Sequence, residues 1–244
     1  GAQSATRGGA SGIAAERTRS PGPGSGQGGR VHVSTEYFKG RAANLPRLLD
    51  GIGTWRWRGK EKAGGKAQQI GLDLSGCRRL LDLGGGPGTA ALTFARANPD
   101  LHCVVFDLPG PVEIAAEQIQ MAGLADRVTT VAGDFHTDPL GEGFDVVYIA
   151  NILHMMGPEE ATALLERSAA TLNAGGRLVV KDFFLDESRT GPPFAALFSV
   201  NMLVATRGGR SYTRGEMDRM FSAAGFSVTD SRPVAANSLV LTAR

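Results

Sequence analysis

From Leu80 onward, short apolar runs alternate with segments whose apolar positions return every three or four residues. That alternation predicts a parallel sheet with crossover helices. The strand-like runs fall at residues 80–83, 102–107, 128–131, 144–150 and 177–184. The clearest helix between them is 158–172, where Ala161, Leu164, Leu165, Ala169 and Leu172 follow an i, i+3, i+4 pattern. Pro158 suits its first turn, and Gly175 follows its end. A later helix starts at Thr213, where Thr213 and Glu216 form a capping-box pair. It carries Met217, Met220, Phe221 and Ala224 on one face and stops at Gly225. Two last runs, 226–230 and 238–242, are joined by a loop too short for a parallel crossover, which needs roughly a dozen residues, so they are expected to pair antiparallel. The prediction is an α/β fold: five parallel strands followed by an antiparallel hairpin.

The first 79 residues lack this rhythm. In residues 1–30 nine are glycine and none is aromatic, so the segment has too little apolar surface to offset its ordering entropy and reads as a disordered leader. An organelle-targeting peptide is the alternative, which the glycine content fits poorly. Tyr37, Phe38, Leu45, Leu48, Leu49 and Ile52 suggest a helix or two in 31–52. Residues 53–68 turn basic, with Trp55 and Trp57 interleaved with Arg56 and Arg58. Such a stretch is either a solvated linker or a grip on nucleic acid. The domain plan is thus a leader over 1–30, a short helical remnant and basic linker over 31–72, and a catalytic domain over 73–244.

Composition narrows the classes. Of 244 residues, 42% are apolar and 20% charged, with 26 Lys and Arg against 24 Asp and Glu, a balance that lacks the basic excess of a nucleic-acid binder. Two cysteines, Cys77 and Cys103, are too few for a disulfide scaffold and read as reduced thiols in a cytoplasmic protein, Cys103 in the core. The most apolar stretch, 194–205, is too short to cross a bilayer, so no membrane association is expected. No histidine or cysteine spacing suggests a metal site.

The chemistry gathers at the ends of the predicted strands. The first runs into Asp82-Leu83-Gly84-Gly85-Gly86-Pro87-Gly88, a turn that lets a ligand approach the backbone and aims a helix N-terminus at it. Such turns serve NAD, FAD or SAM (S-adenosylmethionine), or packing alone. The second strand ends in Asp107-Leu108, 21 residues after Gly86, where an acid can accept both hydroxyls of a ribose. The third is followed by Gly133-Asp134-Phe135, an acid for an adenine amino group and a ring to stack on it. The fourth leads to Asn151-Ile152-Leu153-His154, placing a histidine at the sheet's carboxyl end, where it is either a general base or a loop-bonded structural residue. The fifth carries Lys181-Asp182; Asp182 either orients His154 or faces solvent, which alternation alone leaves open.

With these residues in place, the chain from about Asp73 resembles the catalytic domain of the plant-type and polyketide-tailoring SAM-dependent O-methyltransferases, the acetylserotonin and caffeate O-methyltransferase family. The resemblance is carried by LLDLGGGPGTAALTFARANPDL, VVFDLPGPVEIA, VTTVAGDFHTDPL, YIANILHMMGPEEATALL, NAGGRLVVKDFFLDE and GGRSYTRGEMDRMFSAAGF. It implies a Rossmann-like class I methyltransferase fold with a mostly parallel seven-stranded sheet. It implies SAM held by Asp82, Gly84, Gly85, Gly86 and Gly88, by Asp107 and Leu108, and by Gly133, Asp134 and Phe135. It further implies His154 as catalytic base, Asp182 as its support, and a small-molecule acceptor, expected to be phenolic, in a pocket that includes Asn201 and Met202. The family's base is usually followed by Asp-Trp, where Met155 and Met156 stand here, and Ser211 stands near the place of a second supporting glutamate. The family's N-terminal dimerisation domain, and with it a homodimer, has only 31–72 as its counterpart. A non-catalytic SAM-binding subunit, a carbon or nitrogen acceptor, an NAD-dependent oxidoreductase and nucleic-acid methylation are the competing readings.

Overall fold

The structure, a computed structural model, describes residues 71–234 and 238–244. The leader, the helical remnant and the basic Trp-Arg segment all lie outside the described residues, as do Trp55 and Trp57.

Five strands, β1 (Arg79–Leu83), β2 (His102–Asp107), β3 (Val128–Ala132), β4 (Phe144–Ala150) and β5 (Leu172–Asp182), pair in parallel. The last two, β6 (Val228–Val234) and β7 (Ser238–Ala243), form the expected antiparallel hairpin. The order is β3-β2-β1-β4-β5-β7-β6: the final strand inserts between β5 and β6. Pro233 lies in β6, an edge strand, where a missing N–H is tolerated. The helices are α1 (Thr89–Ala97), α2 (Pro109–Ala122), α3 (Pro158–Ala169), α4 (Pro193–Ala205) and α5 (Arg214–Ala223).

Strand alternation divides the core into two layers. Leu80, Cys103, Val105, Val146, Tyr148 and Val179 face α1 and α2, where Phe94 meets Tyr148 edge-on at 5.1 Å. Leu81, Leu83, Phe106, Val147, Ile149, Leu178 and Val180 face α3 and α5. Cys103 is core, as expected, and its burial pushes the thiol up to about 12. Among the described residues no helix is long and apolar enough to cross a membrane, and no group of His, Cys, Asp or Glu is arranged to hold a metal ion.

Several boundaries differ from the sequence expectation. Helix α3 stops at Ala169 rather than 172, because Leu172 is drawn into the sheet opposite Phe144. Gly175 therefore lies inside β5, in a bulge with φ 77, instead of past a helix end. β5 ends at Asp182, since the Phe183 N–H is taken by the Asp182 carboxylate and Phe183-Phe184 leave the ladder. The strand expected from 226 begins at Val228, because the Phe226 N–H closes the end of α5 on Phe221 O.

Candidate active site

Strand order reverses between β1 and β4, and open α/β sheets bind ligands in the crevice beyond such a switch. Leaving β1, Gly84 and Gly85 donate to Phe106 O at 2.8 and 3.4 Å, which folds the loop toward β2. Gly84 has φ 68, and a Cβ there would collide with Ile152 Cδ1; one at Gly85 would lie 2.7 Å from Asp82 Cγ. Gly86 has φ 54 and opens on free space, a cradle of bare backbone facing the crevice. Gly88, in left-handed conformation, begins α1.

Asp82 is 1% exposed and lies beneath this loop, accepting the Ala91 N–H of α1 at 3.1 Å. Burial pushes its carboxyl up to about 7, with the charge of Asp107 adding and the Ala91 bond opposing. Asp107 ends β2, and its two oxygens accept the Gly86 and Leu108 N–H groups, each at 2.7 Å. Burial raises its pKa against those two bonds. Each oxygen keeps a second lone pair for a hydroxyl donor. Gly133 donates to Asp107 O, and a Cβ there would strike Phe106 Cζ at 2.6 Å, so the third strand tip needs glycine for close approach. Asp134 accepts the His136 N–H within its own turn, and Phe135 Cε1 lies 3.8 Å from a Cβ built at Gly84. The cofactor residues expected from sequence thus meet along one rim, with Asp82 as the underpinning.

The other rim belongs to β4 and β5. Leu153–Met155 forms a single 3-10 turn that carries His154, 7% exposed. Its Nδ1 lies 2.6 Å from Asp182 Oδ1, and its backbone N–H donates to Asp182 Oδ2 at 3.3 Å. The Phe183 N–H donates to Oδ1 at 2.8 Å, so the carboxylate is held from two sides. In the neutral imidazole, a carboxylate at that distance places the hydrogen on Nδ1 and leaves the lone pair on Nε2. Asp182 is 3% exposed, which settles the orientation that alternation left open.

Sequence reasoning placed the apolar helix around 194–205, with Asn201 and Met202, at the acceptor pocket but did not find the aromatic cluster that it forms beside this pair. Phe198 meets the His154 ring edge-on at 4.7 Å, and Phe183 touches both Phe198 and Phe194 at 4.8 and 4.9 Å. The signal was present: Phe194 and Phe198 are four apart on one helical face. It missed Gly209 too, where a Cβ would lie 2.5 Å from His154 O, so the α4–α5 loop lies directly on the histidine turn. Ser211 is buried and donates to Ala195 O, tying that loop to α4. Asn201 is exposed and Met202 half-buried, about one turn beyond Phe198.

Comparison with known proteins bears on this site. An O-methyltransferase domain model matches residues 65–227, which include the glycine loop, both strand-tip acids, His154 and Asp182. The chain belongs to the O-methyltransferase family. It is 39% identical over 156 residues to a 3-hydroxy-5-methyl-1-naphthoate 3-O-methyltransferase of Streptomyces sahachiroi, covering 64% of this chain and 45% of that one. It is 36% identical over 157 residues to an L-tyrosine C(3)-methyltransferase of Streptomyces lavendulae, covering 64% and 43%. Human N-acetylserotonin methyltransferase in complex with SAM superposes with a TM-score of 0.67 at 32% identity, over 74% of this chain and 51% of the human one. The matched stretch spans less than half of these curated relatives.

Proposed function

We propose that this O-methyltransferase moves a methyl group from SAM to a hydroxyl of a small aromatic acceptor, with His154 as general base and Asp182 as its orienting partner. One observation carries the reading: a buried imidazole, fixed through Nδ1 at 2.6 Å by a buried carboxylate, stands across the strand switch from a bare-backbone cradle. The cradle fits the cofactor, because Gly86 opens on free space and Asp107 holds lone pairs for two ribose hydroxyls.

Bound SAM would supply an electrophilic methyl. The protein's share is alignment, with which a well-oriented pair gains several kcal/mol over free encounter, up to about 7–11 kcal/mol in favourable cases. Asp107 and the bare backbone of the glycine loop would hold the nucleoside and methionine ends, and Asp134 and Phe135 would receive the adenine. His154 Nε2 would take the hydroxyl proton as the oxygen accepts the methyl and its carbon–sulfur bond breaks, releasing S-adenosylhomocysteine, and Asp182 would stabilise the imidazolium that forms. Phe198, edge-on to the imidazole, walls the acceptor side.

A carbon acceptor is the second reading, favoured by the relative named for methylation at C(3) of tyrosine. A base that deprotonates a phenol also raises electron density on its ring carbons, so the same dyad serves both. The test is transfer of labelled methyl from SAM to a panel of phenols, with the product bond located by NMR, alongside calorimetry with S-adenosylhomocysteine and NAD. A methyl ether is expected. Binding of NAD without S-adenosylhomocysteine would reject the cofactor assignment.

A further inference from the structure

Lys181 precedes Asp182 and points to the opposite side of β5. Its Nζ bonds Asn151 Oδ1 at 3.3 Å and lies 5.7 Å from the centre of the Phe183 ring. Asn151 directly follows β4, with φ 59, and its N–H donates to Lys181 O. A left-handed backbone strains most non-glycine residues, and Asn is among those that tolerate it best. β1 and β4 pair Leu83 with Ile149 as their last row, and the side chain of Ile152, one residue past Asn151, lies against Gly84. The ammonium therefore stands at the carboxyl end of β4, next to the segment that meets the glycine loop, and beside Phe183 of the Phe183-Phe198 cluster. Burial lowers its pKa, with the charge of Asp182 opposing. Asn151 Oδ1 is a neutral acceptor, so the side-chain hydrogen bond leaves the positive charge available to an anion.

We propose that Lys181, held by Asn151, is a carboxylate-binding subsite of this crevice. Two carboxylates are within the chemistry of the reaction: that of the methionine part of the cofactor, and one borne by an aromatic acceptor. The inference rests on the reading of the crevice as a SAM site, and the assay separates the two.

Calorimetry on the full chain compares S-adenosylhomocysteine with its decarboxylated analogue, and 3-hydroxy-1-naphthoate with 2-naphthol in the presence of S-adenosylhomocysteine. Each pair differs by one carboxylate. The unaltered protein is expected to prefer the carboxylate-bearing member of one pair by about tenfold or more, as befits a charge-assisted hydrogen bond. Lys181→Met is expected to erase that preference and Lys181→Arg to restore part of it. Erasure in the first pair assigns the cofactor's carboxylate; erasure in the second assigns the acceptor's. Preferences left intact by Lys181→Met, or absent from the unaltered protein, overturn the subsite while leaving the SAM reading standing. If S-adenosylhomocysteine does not bind the unaltered protein, the SAM reading fails first and the subsite with it.

Discussion

The two rims of the crevice are built in different ways. The rim at β1, β2 and β3 is made of backbone: glycines that a Cβ would force apart, and short turns closed by strand-tip carboxylates on neighbouring N–H groups. All of it comes from residues within a few positions of a strand end. The rim at β4 and β5 is made of side chains from four separate segments: His154, the Asp182-Phe183 pair, the aromatic face of α4 and the loop around Gly209. Its outer wall is unfinished among the described residues. Along α4, Leu197, Val200, Leu203 and Val204 are 60–77% exposed, while Ala195 is the one residue of that helix that is buried. On the proposed function, the cofactor would meet a rim of main chain and strand-tip carboxylates, which tolerates little change, and the acceptor a rim of side chains, which substitution can reshape.

The comparison breaks first at the base. His154→Ala is expected to lower turnover about 10²-fold or more, the scale of a positioned general base, with S-adenosylhomocysteine affinity unchanged by calorimetry. Turnover within a factor of a few of the parent would remove His154 from the mechanism. The mirror experiment is Asp107→Ala. It deletes acceptors for both the Gly86 and Leu108 N–H groups, and should weaken S-adenosylhomocysteine about tenfold. The acceptor KM should move far less. A change confined to the acceptor KM would put Asp107 on the wrong rim.

The same contrast explains what could be read from the chain alone. Asp82 to Gly88, Asp107 and Asp134 are legible because backbone sites are local: a glycine cluster after an apolar run marks a strand-to-helix turn, and the acid follows at the end of the next strand. The His154-Asp182 pair was legible only as two candidates, since 28 residues and a whole helix separate them. The end of α3 was misplaced because Leu172 fits a helical face and a sheet row equally, and pairing with Phe144 decides. The insertion of β7 between β5 and β6 was not legible, since a short hairpin loop fixes antiparallel pairing without fixing which strand lies inside. The role of Gly209 was hidden for a similar reason: the close approach is to a carbonyl 55 positions earlier.

Smaller perturbations test whether the side-chain rim depends on its own scaffold. Thr213 caps α5, with its hydroxyl accepting the Glu216 N–H and the Glu216 carboxylate accepting the Thr213 N–H. Thr213→Ala should cost about 1 kcal/mol, or about 2–4 °C in melting temperature for a chain of this size. S-adenosylhomocysteine affinity should hold, because nothing in the glycine loop touches this cap. An equal loss of cofactor affinity would show that the rims are one cooperative unit.

Glu216 sharpens the point through pH. Its carboxylate also receives Arg189 at 2.7 Å from the β5–α4 loop and Arg210 at 2.9 Å from the α4–α5 loop, so one buried group ties together the segments that frame α4. Burial by itself would raise its pKa, but the Thr213 N–H and the two guanidiniums outweigh that, and the carboxyl lies below the ordinary 4.5. A lowered acid is ionised more readily in the folded chain than in the unfolded one. Its stabilisation is therefore complete above about 4.5 and disappears as pH falls through the folded value. Glu216→Gln keeps one acceptor oxygen and loses the charge. Arg189 is half exposed and solvent screens that pair, so the expected cost at pH 7 is below about 1 kcal/mol. The parent and the variant should converge in melting temperature as pH drops below 4.5. A gap that stays constant down to pH 3 would mean that the amide fails by its shape rather than by its missing charge, and the clamp would then be packing, not electrostatics.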